Sequence, residues 1–181
     1  MKYIITKRRS RLLEEPEKIL KIPSLKYFNH DWNVLQKFLE NRGYPPYSIS
    51  GNLDLSETPI KSLGNLKHVG GYLDLYEASI ESLGDLEYVG GYLDLYYTPI
   101  ESLGGVKYVG GYLDLRGTSI KSLGNLEQVG NYLTLYGSPI ESLGNLKHVG
   151  GNLLLINTPL SETMSEDEIR SKVNVEGNIY I

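Results

Sequence analysis

The sequence predicts a strand-dominated α/β repeat solenoid, and three observations carry that expectation. A 20-residue unit, G-x-L-x-L-x-x-T-x-I-x-S-L-G-x-L-x-x-V-G, recurs in register from Gly51 to Leu160 without insertion or deletion. A fixed period of this length marks a solenoid. Within each copy, apolar and polar residues alternate, as in Tyr92-Leu93-Asp94-Leu95-Tyr96, which is the pattern of a strand with one buried face. The return arm, for instance Ser102 to Gly110, is too short and too rich in glycine for an α-helix. A 3₁₀ turn or extended chain is expected there, leaving one parallel β-sheet.

Copies begin at Gly51, Gly71, Gly91, Gly111, Asn131 and Gly151. In the third copy Leu93, Leu95, Ile100, Leu103, Val106 and Val109 are expected to point inward, and Tyr92, Asp94 and Tyr96 outward. Burying so few side chains does not offset the entropy of ordering a whole coil. Each coil therefore needs its neighbours. Pro99 fixes the bend after the strand. Gly104 and the Gly110-Gly111 pair suit backbone angles closed to bulkier residues. Asn131 in place of such a glycine suggests a left-handed position. The column Thr58, Ala78, Thr98, Thr118, Ser138, Thr158 is expected to satisfy backbone groups at the turn, with Ala78 marking the weakest turn.

The core L-x-L-x-x-T-x-I resembles the leucine-rich repeat family, whose pattern is L-x-x-L-x-L-x-x-N/C-x-L. The resemblance covers Gly51 to Leu160. Thr, Ala or Ser replaces the family's Asn or Cys, and the family's first Leu falls on Gly70 and its equivalents. The resemblance implies a right-handed leucine-rich-repeat coil with one parallel β-sheet and the sheet face as the binding surface.

Outside the repeats, residues 1–50 form a non-repeat N-terminal cap and residues 161–181 a C-terminal one. Lys2 to Thr6 reads as a strand, and the opening MKYIIT resembles the starts of small proteins of tailed bacteriophages and their hosts. Glu14 to Asn29 is broken by Pro16 and Pro23 and has no clear reading. Residues 31–41 read as a helix with Asp31 as N-cap, Trp32, Leu35, Phe38 and Leu39 on one face, and Gly43 as the stop. At the other end Ser165 and Glu168 form a capping box for a helix over Glu166 to Lys172. Gly177 to Ile181 then restates the strand motif. Its uncovered edge invites a second chain, and a homodimer through this strand is one expectation.

The chain has 181 residues, no cysteine and a net charge of −4. A disulfide framework is excluded. No apolar core of a secretory leader and no membrane-length apolar run is present, so the sequence reads as cytoplasmic. Residues 1–50 carry 10 basic and 5 acidic residues; residues 51–181 carry 8 and 17. A basic cap beside an acidic solenoid accounts for this. The other reading gives Lys7, Arg8, Arg9 and Arg11 a contact with nucleic acid or an acidic protein, although no nucleic-acid motif accompanies them.

Equivalent residues stack about 4.8 Å apart along a sheet, so columns carry the functional reading. On the return arm Lys67, Glu87, Lys107, Glu127 and Lys147 alternate in sign, and Lys61, Glu81, Glu101, Lys121 and Glu141 nearly do. Such ladders set register. The sheet face differs. Tyr72, Tyr92, Tyr112 and Tyr132 form one column, Asp74, Asp94 and Asp114 the next above Asp54, and Tyr76, Tyr96, Arg116 and Tyr136 the third. One reading makes the tyrosines good strand formers and the Asp row a solubility device. A second makes this face a non-enzymatic site for a basic protein or peptide, with cation–π contacts, or for a sugar. A self-assembling structural solenoid is the alternative class.

Catalysis is the distant reading. Adjacent Asp pairs approach the separation of retaining glycosidases, but near-identical rungs lack the two unlike environments such chemistry needs. The string GGYLDLYEA is similar to a calcium-binding nonapeptide but lacks its third glycine. No cofactor and no metal is expected.

Overall fold

Every copy pairs with its neighbours twice. The computed structural model describes residues 18–181, and over them the chain is a strand-dominated parallel β-solenoid. One sheet, here the front sheet, contains the L-x-L strands: seven among the described residues, from Leu53–Asp54 through Leu93–Asp94 to Ile179–Tyr180. The other, the return sheet, has eight, from Leu20–Ile22 through Tyr88–Val89 to Asn174–Val175. Register is one full repeat throughout the copies: Leu93 pairs with Leu73 and Leu113, and Val89 with Val69 and Val109. The anticipated strand Lys2 to Thr6 and the basic run Lys7, Arg8, Arg9 and Arg11 lie outside the described residues.

Two sheets replace the single one expected. Copies of equal length place every backbone group opposite its equivalent one coil away. Hydrogen bonds therefore continue around the return arm: Glu87 N–H donates to Lys67 O at 2.9 Å and Gly90 N–H to Val69 O at 2.8 Å. The paired glycines permit this approach. A Cβ built on Gly110 would overlap the Gly90 carbonyl oxygen. Gly110 and Gly111 thus answer to packing distance rather than to backbone angle, because neither has a positive φ. Asn131 is not left-handed either; its Oδ1 accepts from the Tyr132 N–H at 2.9 Å. Gly104 does have φ +58°, and its N–H donates to Ser102 Oγ at 3.0 Å. The S-L-G triplet is therefore a side-chain-closed turn.

The interior follows the alternation. Leu93, Leu95, Ile100, Leu103, Val106 and Val109 are all buried. Thr98 Oγ1 donates to Leu95 O at 2.8 Å, and Thr58, Thr118, Ser138 and Thr158 make the same bond one or more coils away. Ala78 occupies the same buried place without a hydroxyl.

Helix α1, Trp32–Glu40, begins where expected: Asp31 Oδ1 accepts from Asn33 N–H at 2.7 Å and Val34 N–H at 3.3 Å. Trp32, Leu35 and Leu39 join the same buried cluster as the first coil. Part of the stretch left without a reading resolves into the strand Leu20–Ile22 and a 3₁₀ turn at Leu25–Phe28. Residues Tyr47–Ile49 pair with Leu66–Val69, with a register shift between Tyr47 and Ser48. The buried Tyr47 hydroxyl reaches Leu63 O at 3.2 Å. Two short helices close the C-terminal end, the first starting inside the last copy. Helix α2, Pro159–Thr163, starts from a Thr158–Ser161 capping box that the sequence reading missed. Helix α3, Glu166–Lys172, has the expected Ser165–Glu168 box and buries Ile169. Arg170 bonds Val175 O at 2.9 Å and Gly177 O at 3.0 Å, tying α3 to the last turn.

Candidate functional site

The front-sheet strands place the three outward columns side by side, as the alternation requires. Tyr72, Tyr92, Tyr112 and Tyr132 form one continuous stack. Successive ring centroids lie 4.6, 4.6 and 4.8 Å apart and the planes are within 4° of parallel. Each inner ring therefore has both faces covered by its neighbours. A partner meets ring edges and hydroxyls, so the expected cation–π or sugar stacking on this column is confined to its two ends. Burial, with Asp74 next, pushes the Tyr92 hydroxyl up to about 12. Burial and then Asp94 push the Tyr112 hydroxyl up as well.

The Asp row is not the free acidic stripe that the spacing suggests. In every rung Oδ1 accepts the backbone N–H two residues on: Ser56 to Asp54 at 3.1 Å, Tyr76 to Asp74 at 3.0 Å, Tyr96 to Asp94 at 2.9 Å and Arg116 to Asp114 at 3.0 Å. Each is an Asx turn that closes the bend after the strand. Exposure also falls along the row. Asp54 is exposed, Asp74 and Asp94 are half-buried, and Asp114 is 3% exposed beneath Arg116. Arg116 holds Asp114 through Nε at 3.0 Å and Nη2 at 2.5 Å, so this rung is neutralised. Tyr92 Oη lies 3.4 Å from Asp74 Oδ2. Burial raises the Asp94 carboxyl above the ordinary Asp value, opposed by the Tyr96 N–H and reinforced by Asp114 and Asp74. Asp94 and Asp114 thus occupy unlike environments, contrary to the expectation of uniform rungs. With Asp114 covered by Arg116, the accessible carboxylates of the row are Asp54, Asp74 and Asp94.

The third column is a mixed stack. Tyr76 and Tyr96 pack at 5.6 Å, and the Arg116 guanidinium lies 4.6 Å over the Tyr96 ring. Tyr136, one coil further, is exposed. The next residue in the chain, Glu77, raises the Tyr76 hydroxyl to about 12 through a side-chain hydrogen bond. Neither a family model, a curated protein nor a solved structure matches this chain. Among the described residues no helix is long and apolar enough to cross a membrane.

One column escaped the sequence reading. Glu57, Glu77, Tyr97, Gly117, Gly137 and Asn157 all have φ between +50° and +72°. Their left-handed turn aims the N–H along the sheet; Tyr97 N–H reaches Arg116 O at 3.0 Å. Two glycines and an asparagine in one column were the available signal. Tyr97, 60% exposed, abuts Tyr96 edge-on at 4.3 Å. It borders a shallow cavity of about 270 Å³ with Tyr96, Arg116, Gly117, Tyr136 and Gly137.

The return arm is self-paired. Lys67–Glu87 at 3.7 Å, Glu87–Lys107 at 3.4 Å and Glu127–Lys147 at 2.5 Å realise most of the alternating ladder. Lys61–Glu81 at 2.6 Å and Lys121–Glu141 at 3.8 Å do so in the second column.

Proposed function

We propose that this chain is a non-enzymatic binding module: a right-handed, leucine-rich-repeat-like coil, closed by helical segments at both ends, whose front face receives a basic protein or peptide segment. One observation carries the reading. Asp54, Asp74 and Asp94 rise along the face at strand spacing, while Arg116, the single cation of the three columns, is committed to Asp114. The unbalanced carboxylates sit among tyrosine edges and hydroxyls that both donate and accept hydrogen bonds. That surface suits ammonium and guanidinium groups. The threonine bonds to the preceding Leu carbonyl support the leucine-rich-repeat likeness, since they occupy the place of the family's Asn.

The test compares two double variants against a partner captured from the native host. Tyr92→Ala with Tyr96→Ala removes central anchors and should cost at least ~2 kcal/mol of binding. The buried leucines beside them keep the fold, which circular dichroism checks. Glu87→Ala with Lys107→Ala, on the return arm, should leave affinity within about 0.5 kcal/mol. The reverse ranking places the site on the other face.

The edge strand Ile179–Tyr180 favours a second reading, pairing with another copy of this chain. It lies at the end of the front sheet, and Tyr180 and Ile181 are exposed. Deleting residues 177–181 should convert a dimer to a monomer by light scattering; a wild type monomeric at high concentration removes this reading.

A further inference from the structure

We propose that the notch beside Tyr97 is the anchor subsite of the front face and takes one aromatic side chain of the bound segment; this deepens the binding reading above and rests on it for the partner's basic character. The geometry starts from the left-handed column. Tyr97 has φ +54°, as Glu57 and Glu77 have similar values at the same place, so the turn belongs to every coil, and Tyr97 is the aromatic residue in that column. The next two coils carry Gly117 and Gly137 at the same place. The Tyr97 ring lies over the first of these: a Cβ on Gly117 would sit 2.9 Å from Tyr97 Cδ1 and 3.2 Å from Cε1. Over Gly137 no atom other than those of its chain neighbours, Tyr136 and Ser138, lies within 4 Å of the Cβ position. One rung of the column is therefore filled by a ring, and the next is open.

The walls favour a ring as occupant. Tyr136 and Arg116 flank the opening. Arg116 is held in place by Asp114 and by the Tyr96 ring beneath it, so its planar cation is presented without further ordering, a group that stacks on aromatic faces. Rings in this molecule already stack one per coil at 4.6–5.6 Å, the range in which a ring over Gly137 would follow Tyr97. The volume, about 270 Å³, is below the ~300–1,000 Å³ of small-molecule sites. It suits one side chain. Asp94 and Asp74 lie two and three coils from Gly137 on the same face, so lysines or arginines a few residues from the aromatic residue would meet carboxylates.

Two titrations of the full chain, followed by ¹H–¹⁵N NMR, separate the notch from the acidic row. The first uses N-acetyltryptophanamide. Saturable shifts are expected at Tyr97, Gly117, Tyr136 and Gly137, with affinity reduced at least about tenfold in Gly137→Asn. Asn is tolerated in this conformation, as Asn157 shows in the same column, so the variant fills the notch and keeps the turn. Absence of shifts at these residues, equal binding by Gly137→Asn, or a preference for methyl glucoside over the indole overturns the proposal. The second titration uses an octalysine peptide against wild type and Asp74→Asn with Asp94→Asn. Loss of peptide binding with indole shifts retained supports both readings. Indole binding without any peptide binding removes the basic-partner reading alone. Peptide binding without indole binding removes the notch alone.

Discussion

The two outer faces share one core and one register, yet they dispose of charge in opposite ways. On the return arm, lysine and glutamate alternate between coils and pair with each other. On the front sheet, carboxylates face carboxylates; their Oδ1 atoms bond their own backbone, and the tyrosines stack on one another. Self-pairing across coils leaves the return face nearly neutral. Self-satisfaction within each coil leaves the front face ordered but still negatively charged. Neighbouring coils therefore order side chains on both faces, while the excess of negative charge stays on the front one.

The frame common to both faces is the first thing to break. Gly110→Ala drives a methyl group into the Gly90 carbonyl at the bend that joins the sheets, and should cost about 3 kcal/mol, the upper range for overpacking. Gly124→Ala should cost less, about 1–2 kcal/mol, because it meets only an unfavourable φ of +55° and open space. Urea denaturation ranks the two. Equal losses would mean that backbone angle, not coil spacing, governs the glycines.

A smaller effect is expected at the threonine column. Thr98→Ala removes the hydroxyl that serves the buried Leu95 carbonyl and should cost about 1 kcal/mol, while Ala78→Thr should gain up to about that amount by adding the missing bond. Opposite shifts in melting temperature are the expected result.

The smallest effects sharpen the contrast between the faces, because their signs differ. The folded Asp94 carboxyl titrates above its unfolded value near 3.8, so its ionisation destabilises the fold at neutral pH and not below that value. Asp94→Asn keeps an acceptor for the Tyr96 N–H. It should raise stability at pH 7 by roughly 0.5 kcal/mol after solvent screening, with the gain vanishing as the pH falls below the ordinary Asp range. Glu87→Gln on the return arm loses its pairs with Lys67 and Lys107 and should lower stability by a similar or smaller amount. Melting curves across pH read both; the same sign for the two would erase the distinction.

Much of this architecture was legible in the residues. Period, inward side chains, the Asp31 cap, the Ser165–Glu168 box and the closing strand at Ile179 all follow from local pattern. The second sheet was not: the front strands sit in a five-residue alternation such as Tyr92 to Tyr96, whereas Tyr88–Val89 runs straight into Gly90-Gly91 and shows none; its pairing exists only when equal coils are laid together. The columns of the front face were legible as lists of residues, but not their chemistry. That Asp114 is covered by Arg116, and that the Tyr92 ring has no free face, depend on what stands one coil away. The left-handed column at Tyr97 was hidden because Glu57, Glu77 and Tyr97 are residues that normally avoid that conformation.

The most direct test of the central claim is where a cationic segment lands. In an octalysine titration of the wild-type chain, amide shifts should concentrate on residues 72–76 and 92–96, and affinity should fall as salt is added. Shifts centred on Lys67, Glu87 and Lys107, or binding indifferent to salt, would contradict the assignment of the front face.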